Sequence, residues 1–441
     1  MKRITFFILA IIGFTSCDIL DVEPTSDIPQ DAAFANEDAI RSTVAGCYDA
    51  LQSGNYYGRN FVVLPDLLSN NLTVTGTTQE YAEFTNNAVQ SDNFITEGLW
   101  NTIYDGINRT NMLFANIGQA GLSSEKEKSY LAHCHFLRGL HYFNLVRTFG
   151  GVPIKTTPTV GVNESLNVAR SSVDDVYKQI NDDLDLALEY FGYGGGSIFE
   201  GAANSDVVRA LLAKVKLYEK DYVAAKSYAT EVIENPIYDL LPNFQDLYPA
   251  STNKEAVFQV IFNEQDNNLL AQYFQPVSFG GRQEFTPSDS LLNFFVEADS
   301  IRYRVSINDN SDGIFVKKYS ELATRSDNVY VIRLPELYLI RAEADAELNG
   351  LVTDIRDDIN AVRTRTGLDP TQVETIDELM VVLEAERRKE FAFEGNYWFE
   401  LVRTGKAIEE LTNVTSTDQY LMPIPLSEMQ TNSAMTQNSG Y

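Results

Sequence analysis

The chain's only three histidines, His133, His135 and His141, fall on one helical stretch. At about 100° per residue, His133 and His135 point to nearly opposite sides, and His133 and His141 lie about 80° apart. No cysteine or carboxylate pair completes a metal set at that spacing, so they read as packing and surface histidines. A Ser-His-Asp or Cys-His system would have to be built around this one helix. Carboxylates are abundant, with 62 Asp plus Glu against 34 Lys plus Arg. Adjacent acids such as Asp182-Asp183 and Glu409-Glu410 are then unavoidable on solvated helix faces, and alone they do not mark a glycosidase. There is no Walker loop and no Gly-x-Gly-x-x-Gly. The pattern therefore calls for no cofactor, no metal and no catalytic constellation. The net charge of −28 with no basic run also argues against a nucleic-acid partner.

One residue does carry recognisable chemistry. Lys2-Arg3, the apolar run Ile4 to Phe14 and the small residues Thr15-Ser16 precede Cys17. That order describes an export signal over residues 1–16, with Cys17 as the lipidation site of a bacterial lipoprotein. A diacylglyceryl thioether and an acylated amino terminus supply the two lipid signals that stable anchoring needs. The membrane would then be reached through this anchor alone. Losing Lys2 and Arg3 takes the net charge from −28 to −30. Residues 17–30 hold Asp18, Asp21, Glu23, Asp27, Pro24 and Pro29, and read as an acidic, extended tether. The two remaining thiols, Cys47 and Cys134, form no disulfide framework, and Cys134 falls mid-helix, as a buried thiol would.

Helical periodicity dominates the rest. It predicts helices over Glu37–Ser53, Trp100–Ile117, Glu125–Phe149 with a capping start at Ser123-Ser124, and Ser172–Tyr190 ended by Gly192 to Gly196. Asp206–Glu219 and Tyr222–Glu234 form a helical pair. Leu212, Tyr218, Ala224, Ala225 and Tyr228 fall where a tetratricopeptide unit places its packing residues. Leu337–Leu348 and Thr353–Thr364 repeat that layout about 130 residues later, well beyond one repeat period of roughly 34 residues. Residues 54–100 look like long loops with a short helix near Pro65–Asn71. Short β-prone runs appear at Ala256–Phe262, Gly313–Val316 and Val329–Ile332. Between them lie Tyr273, Phe274, Phe279, Arg282 and Phe285 beside Gly280-Gly281, as recognition groups or as a local mini-core. The expected class is mainly α: interrupted tetratricopeptide-like helix pairs, an α/α superhelix, with an irregular loop-rich half containing a few short strands.

Several blocks together resemble the SusD/RagB family of surface nutrient-binding lipoproteins of Bacteroidetes. They are Trp100 to Asn111, Phe136 to Pro153, Arg209 to Val215 and Tyr338 to Ala344. The most specific is Glu386-Arg387-Arg388-Lys389-Glu390-Phe391-Ala392-Phe393-Glu394-Gly395, running on through Trp398 to Gly405. Met422 to Pro425 and Gln437 to Tyr441 complete the series. By helical spacing, Glu384, Arg387, Arg388, Glu386, Lys389 and Glu390 can lace a surface with ion pairs, so this block reads as scaffold rather than as a binding site.

The resemblance implies a single body over residues 31–441. Loop-rich binding regions are expected at about 54–100 and 238–331, and a helical scaffold at about 101–235 and 332–411. It implies a non-enzymatic lipoprotein of the outer membrane that captures oligosaccharides, or sometimes peptides, as the lid of a SusC-like TonB-dependent transporter. Binding residues differ among members, so the candidates rest on composition. They are Tyr56, Tyr57, Asp66, Asn70, Asn71 and Trp100 in the N-terminal loops, and Tyr273, Phe279, Arg282 and Phe285 in the insert. Aromatic faces would stack on sugar faces while Asp, Asn and Arg bind hydroxyls. Both tryptophans fall inside family blocks, which leaves none over as an evident sugar platform and keeps peptides open. The competing readings are a tetratricopeptide-like surface protein that assembles a complex without its own ligand and, more remotely, a surface glycoside hydrolase.

Overall fold

The computed structural model of the chain describes residues 30–159, 161, 167–192, 198–249, 251–296 and 300–441. The leader, Cys17 and the tether through residue 29 lie outside the described residues, as does most of the glycine cluster after Tyr190. The N-terminal part runs α1 (Gln30–Ala33), α2 (Glu37–Gln52), α3 (Asn60–Leu68), β1 (Leu72–Val74), α4 (Gln79–Thr85), α5 (Phe94–Asn116) and α6 (Ser124–Phe149). The region expected as long loops with one short helix is therefore about half helical, with three helical segments. Helix α5 begins well before Trp100 because Asn93 Oδ1 accepts from the amides of Ile95 and Thr96 at 3.0 and 3.2 Å, an N-cap that periodicity alone does not reveal. Every residue of α3 is buried, so it carries no amphipathic pattern to read.

Helices α7 (Val173–Phe191), α8 (Ser205–Tyr218) and α9 (Tyr222–Ile233) follow. Then come β2 (Ala256–Val260), α10 (Leu270–Phe274), β3 (Phe285–Pro287), α11 (Asp289–Val296), α12 (Ser300–Ser306), β4 (Ile307–Asn310), β5 (Gly313–Val316) and β6 (Val329–Arg333). The strands form three antiparallel pairs, β1–β3, β2–β6 and β4–β5. The chain closes with α13 (Leu334–Glu347), α14 (Val352–Thr364), α15 (Ile376–Glu390), α16 (Tyr397–Arg403), α17 (Ala407–Glu410) and α18 (Leu426–Thr431). Helix α8 packs on α9 and α13 on α14, as the repeat pattern requires, and α9 also packs on α13. The two helix pairs, far apart in sequence, are thus neighbours in space. Buried Ala225 and Ala229 keep α9 thin enough for that approach. The fold is mainly α, with few and short strands. Its main core extends from Phe34 to Met435. Among the described residues, no helix is long and apolar enough to cross a membrane.

The block around Glu386–Gly395 departs most from its sequence reading. Its charges lie inside the protein, not on a surface. Arg333 reaches Glu255 and Glu390 at 2.7 Å each and Glu394 at 2.9 Å. Arg302 reaches Glu386 at 2.6 Å and Glu390 at 2.8 Å, and Lys318 reaches Glu394 at 2.6 Å. Arg363 and Arg365 close the far side on Glu386 and Glu255. Helical spacing gives the Lys389–Glu386 pair at 3.2 Å but misses these others, because their partners come from α12, the β5–β6 segment, α14 and the turn after it, not from α15 itself. Arg387 likewise pairs with Glu343 and Glu400, and Glu384 with Lys406. Burial alone would raise the Glu390 carboxyl; the Arg365, Arg302 and Arg333 guanidiniums outweigh it and hold the group well below the usual carboxylate range.

The histidines are a second correction, since none lies at the surface. His135 and Arg138 share Asp183 at 2.7 Å each. His133 and His141 rest against the hydroxyls of Tyr48 and Tyr56. Burial lowers both to about 3, helped at His141 by the Arg109 charge, so they are neutral packing groups.

Candidate functional site

The β1–β3 pair brings the two loop-rich regions together. Leu72 faces Pro287, Thr73 faces Thr286 and Val74 faces Phe285. The pairing continues past the strands, where the amides of Thr75 and Gly76 both donate to the Glu284 carbonyl at 2.8 and 3.1 Å. A tight excursion leaves this ladder at α10 and returns at Glu284. The Arg282 amide donates to Gln272, that of Gln283 to Gln275 and that of Glu284 to Tyr273. The excursion's tip, Val277 to Gly281, carries the exposed side chains of Val277 and Phe279.

Beneath the tip lies a layered stack. The Tyr273 ring has the Arg59 guanidinium 4.4 Å from its centroid and that of Arg282 at 4.9 Å, a cation–π arrangement that fixes all three planes. Arg59 is held by Asn60 Oδ1 at 2.8 Å, and Arg282 by two bonds to Glu284 Oε1 at 2.9 and 2.6 Å. Glu284 Oε2 is buried with no partner among the described residues. It occupies the space a side chain at position 76 would need, since a Cβ on Gly76 would sit 1.5 Å from it. Glycine at 76 is thus what lets Glu284 reach Arg282. Phe279 stands edge-on to Phe315 with ring centroids 5.8 Å apart. Gln283 Nε2 donates to the Ile314 carbonyl at 3.0 Å and anchors the tip on the β4–β5 hairpin, where Ile314 is also exposed.

The structure divides the sequence candidates. Tyr273, Phe279 and Arg282 meet at this tip. Asn70, half-buried, sits at the base of the same ladder, where its carbonyl accepts from Ser288 Oγ at 2.5 Å. The other six are buried, and they are hydrogen-bonded or packed inside the protein. Asn144 Nδ2 donates to the hydroxyls of both Tyr56 and Tyr57. Asp66 accepts from Asn71 Nδ2 at 2.8 Å and from the amides of Phe393 and Gly395 at 3.3 and 3.0 Å. It thereby pins the turn after α15, and burial raises its carboxyl to about 6. Asn71 Oδ1 accepts from Arg388 Nε, Trp100 packs edge-on to Phe149, and Phe285 packs edge-on to Tyr81. Aromatics and amides placed in loops by composition are thus mostly the framework on which the exposed ones stand.

A second open surface escaped the sequence reading. A groove of about 520 Å³ runs between α2, α5 and the 265–267 loop, lined by Asp49, Gln52, Asn101, Asp105, Arg109 and Asn267 among others. Arg109 bridges Asp49 and Asp105 at 2.8 Å each. Asn101, Asp105 and Arg109 recur every four residues along α5, which in sequence looks like any solvated helix face. The groove holds hydroxyl-binding groups and no aromatic side chain. The Tyr273–Phe279 tip holds both planar apolar and charged groups.

Comparison with known proteins decides the family. A model described as "Starch-binding associating with outer membrane", SusD-like, matches residues 18–217, and one described as "SusD family" matches residues 302–414. The chain belongs to the SusD/RagB family. Among SusD-like relatives, protein P2 of Formosa agariphila is 25% identical, covering 100% of this chain and 99% of its own. The starch-binding protein SusD of Bacteroides thetaiotaomicron is 31% identical over 173 residues, which is 37% of this chain and 29% of that one. Among solved SusD-like structures, a laminarin binding protein superposes with a TM-score of 0.81 at 25% identity, covering 92% of this chain and 100% of the other. A superfamily member from Bacteroides vulgatus gives a TM-score of 0.83 at 20% identity, covering 92% of this chain and 100% of its own. Two of these proteins, the one for starch and the one for laminarin, are named for binding.

Proposed function

We propose that the chain is a nutrient-binding lipoprotein of the outer membrane. It is tethered at the cell surface through acyl chains on Cys17 and captures oligosaccharides without turning them over. It delivers them to a SusC-like TonB-dependent transporter on which it acts as a lid. The observation that carries the binding reading is the exposed Phe279 beside the Arg59–Tyr273–Arg282 stack. A ring edge and face at that position suits the apolar face of a pyranose, and Arg282, whose side chain is 47% exposed, has donors left for its hydroxyls. The relatives named for laminarin and starch support a glycan as the ligand class. The acids raised to about 6, Asp66 and Asp327, hold backbone amides inside the fold and are not poised over an open site.

Calorimetric titration of the purified chain against a panel of neutral glycans and peptides tests this. Binding of a glycan without its cleavage is expected, together with recovery of a barrel transporter when the chain is purified from outer membranes. Turnover of a panel member, or binding confined to peptides, would overturn the glycan-binding reading.

A further inference from the structure

On another part of the surface, an open cavity of about 400 Å³ lies between the 245–249 segment, α12 and the strand exit at 317–320. Its floor is apolar. Tyr248, Ile301 and Val305 are half-buried there against the buried Phe244, Leu247 and Tyr330. Its rim is polar and basic, formed by Gln245, Arg304, Lys317 and Ser320. Among the described residues neither rim cation has an acidic partner, and Lys317 Nζ donates to the Arg304 carbonyl at 3.4 Å. No carboxylate lines the cavity among the described residues. That is unusual for a chain with a net charge of −28. The polar groove on α5 shows the contrast, since its arginine is already spanned by two aspartates.

Two unpaired cations held over an apolar floor keep their full capacity for an anion, and the floor takes the flat side of whatever carries the charge. The volume falls within the range of small-ligand sites, roughly 300–1,000 Å³. Gln245 and Ser320 add hydroxyl partners. We propose that this cavity binds an anionic sugar unit, a uronate or a sulfate ester, through Arg304 and Lys317 with its ring lying on the Tyr248–Val305 floor. The inference rests on the reading of the chain as a glycan binder and assigns it a second, charge-selective subsite.

The test is calorimetry with a uronate oligosaccharide, a sulfated oligosaccharide, the carboxyl-reduced form of the first, the desulfated form of the second, and an oligoglutamate peptide. The proteins are the wild type, Arg304→Ala/Lys317→Ala and Phe279→Ala. At least one anionic ligand should bind tenfold or more tightly than its neutral form, and should weaken as salt is raised. The double variant, altered at exposed side chains only, should lose that difference while keeping the wild-type melting temperature and neutral-glycan affinity. The anionic preference should survive in Phe279→Ala. Comparing which of the uronate and sulfate arms binds identifies the anion. Equal affinity for charged and neutral forms, an unchanged double variant, or binding of an oligoglutamate peptide in place of both sugars overturns the proposal. If neutral glycans still bind in those cases, the glycan-binding reading stands; if no glycan binds in any arm, both fall.

Discussion

Arg333 and Arg282 are both bonded to glutamates, yet one side chain is 1% exposed and the other 47%. Arg333 sits where β6, α15 and the loop before β2 converge, and every donor it has is committed to Glu255, Glu390 and Glu394. Arg282 sits on a tip, stacked on Tyr273 and tied to one oxygen of one carboxylate. The difference teaches what each region is for. Buried charges must satisfy one another, or their desolvation unfolds the protein. An exposed stack can be rearranged cheaply and so can take up a ligand.

The largest effects should come from breaking the buried set. Removing one partner of such a network typically costs about 3–5 kcal/mol, because the remaining charge stays buried and unpaired. Arg333→Ala should therefore lower the denaturation midpoint severely or prevent folding. The isosteric Glu390→Gln should fold but unfold at clearly lower denaturant. A loss under about 1 kcal/mol in both would show that the network is ornamental.

Acid is the next probe. His133 and His141 are lowered to about 3, so the unfolded chain binds more protons below pH 6.5, and their effect lowers stability as the pH falls. Asp66 and Asp327 are raised to about 6, so the folded chain binds more protons between pH 6 and 3.8, and their effect runs the other way. Those four groups offset one another over the same window. Glu386, Glu390 and Glu394 are held low, so the stability they contribute is present above pH 4.5 and lost as the pH falls below it. Melting temperatures should be nearly flat from pH 6 to 4.5 and then drop steeply. A steady decline starting at pH 6.5 would mean that the histidines outweigh the two aspartates.

Gly76→Ala sharpens the comparison at the junction between the two regions. Its Cβ would displace the Glu284 carboxylate from its buried seat, an overpacking that typically costs about 1–3 kcal/mol. Arg282 would be released with it, so glycan affinity should fall together with stability. Phe279→Ala should have the smallest effect on stability, within about 0.5 kcal/mol by chemical denaturation, as for most exposed positions.

These contrasts also explain what could be read from the chain. The helix pairs α8–α9 and α13–α14 were legible because small and large residues recur at helical spacing on one face. Helix α3, buried all round, shows no such period, and the true start of α5 depends on one capping side chain at Asn93. The scaffold role of Glu386–Gly395 was legible, but its burial was not, because Arg302, Arg333 and Glu255 reach it from distant segments. Tyr273, Phe279 and Arg282, chosen by type beside Gly280-Gly281, are the candidates that the structure brings together at the tip. Tyr56, Tyr57, Asp66, Asn71, Trp100 and Phe285 share those types yet face inward, and only tertiary packing separates the two sets. Arg59 carries no such signal because the ring it stacks on, Tyr273, is far away in sequence, and Glu284 because its buried seat depends on the distant Gly76.

The most direct measurement is titration of one neutral glycan into wild type, Phe279→Ala and Arg282→Ala, with a melting curve of each. Affinity should fall tenfold or more in both variants, about 1.4 kcal/mol or more, with Phe279→Ala melting as the wild type does. Unchanged affinity in both, with the protein still folded, would contradict the assignment of this tip as the glycan site.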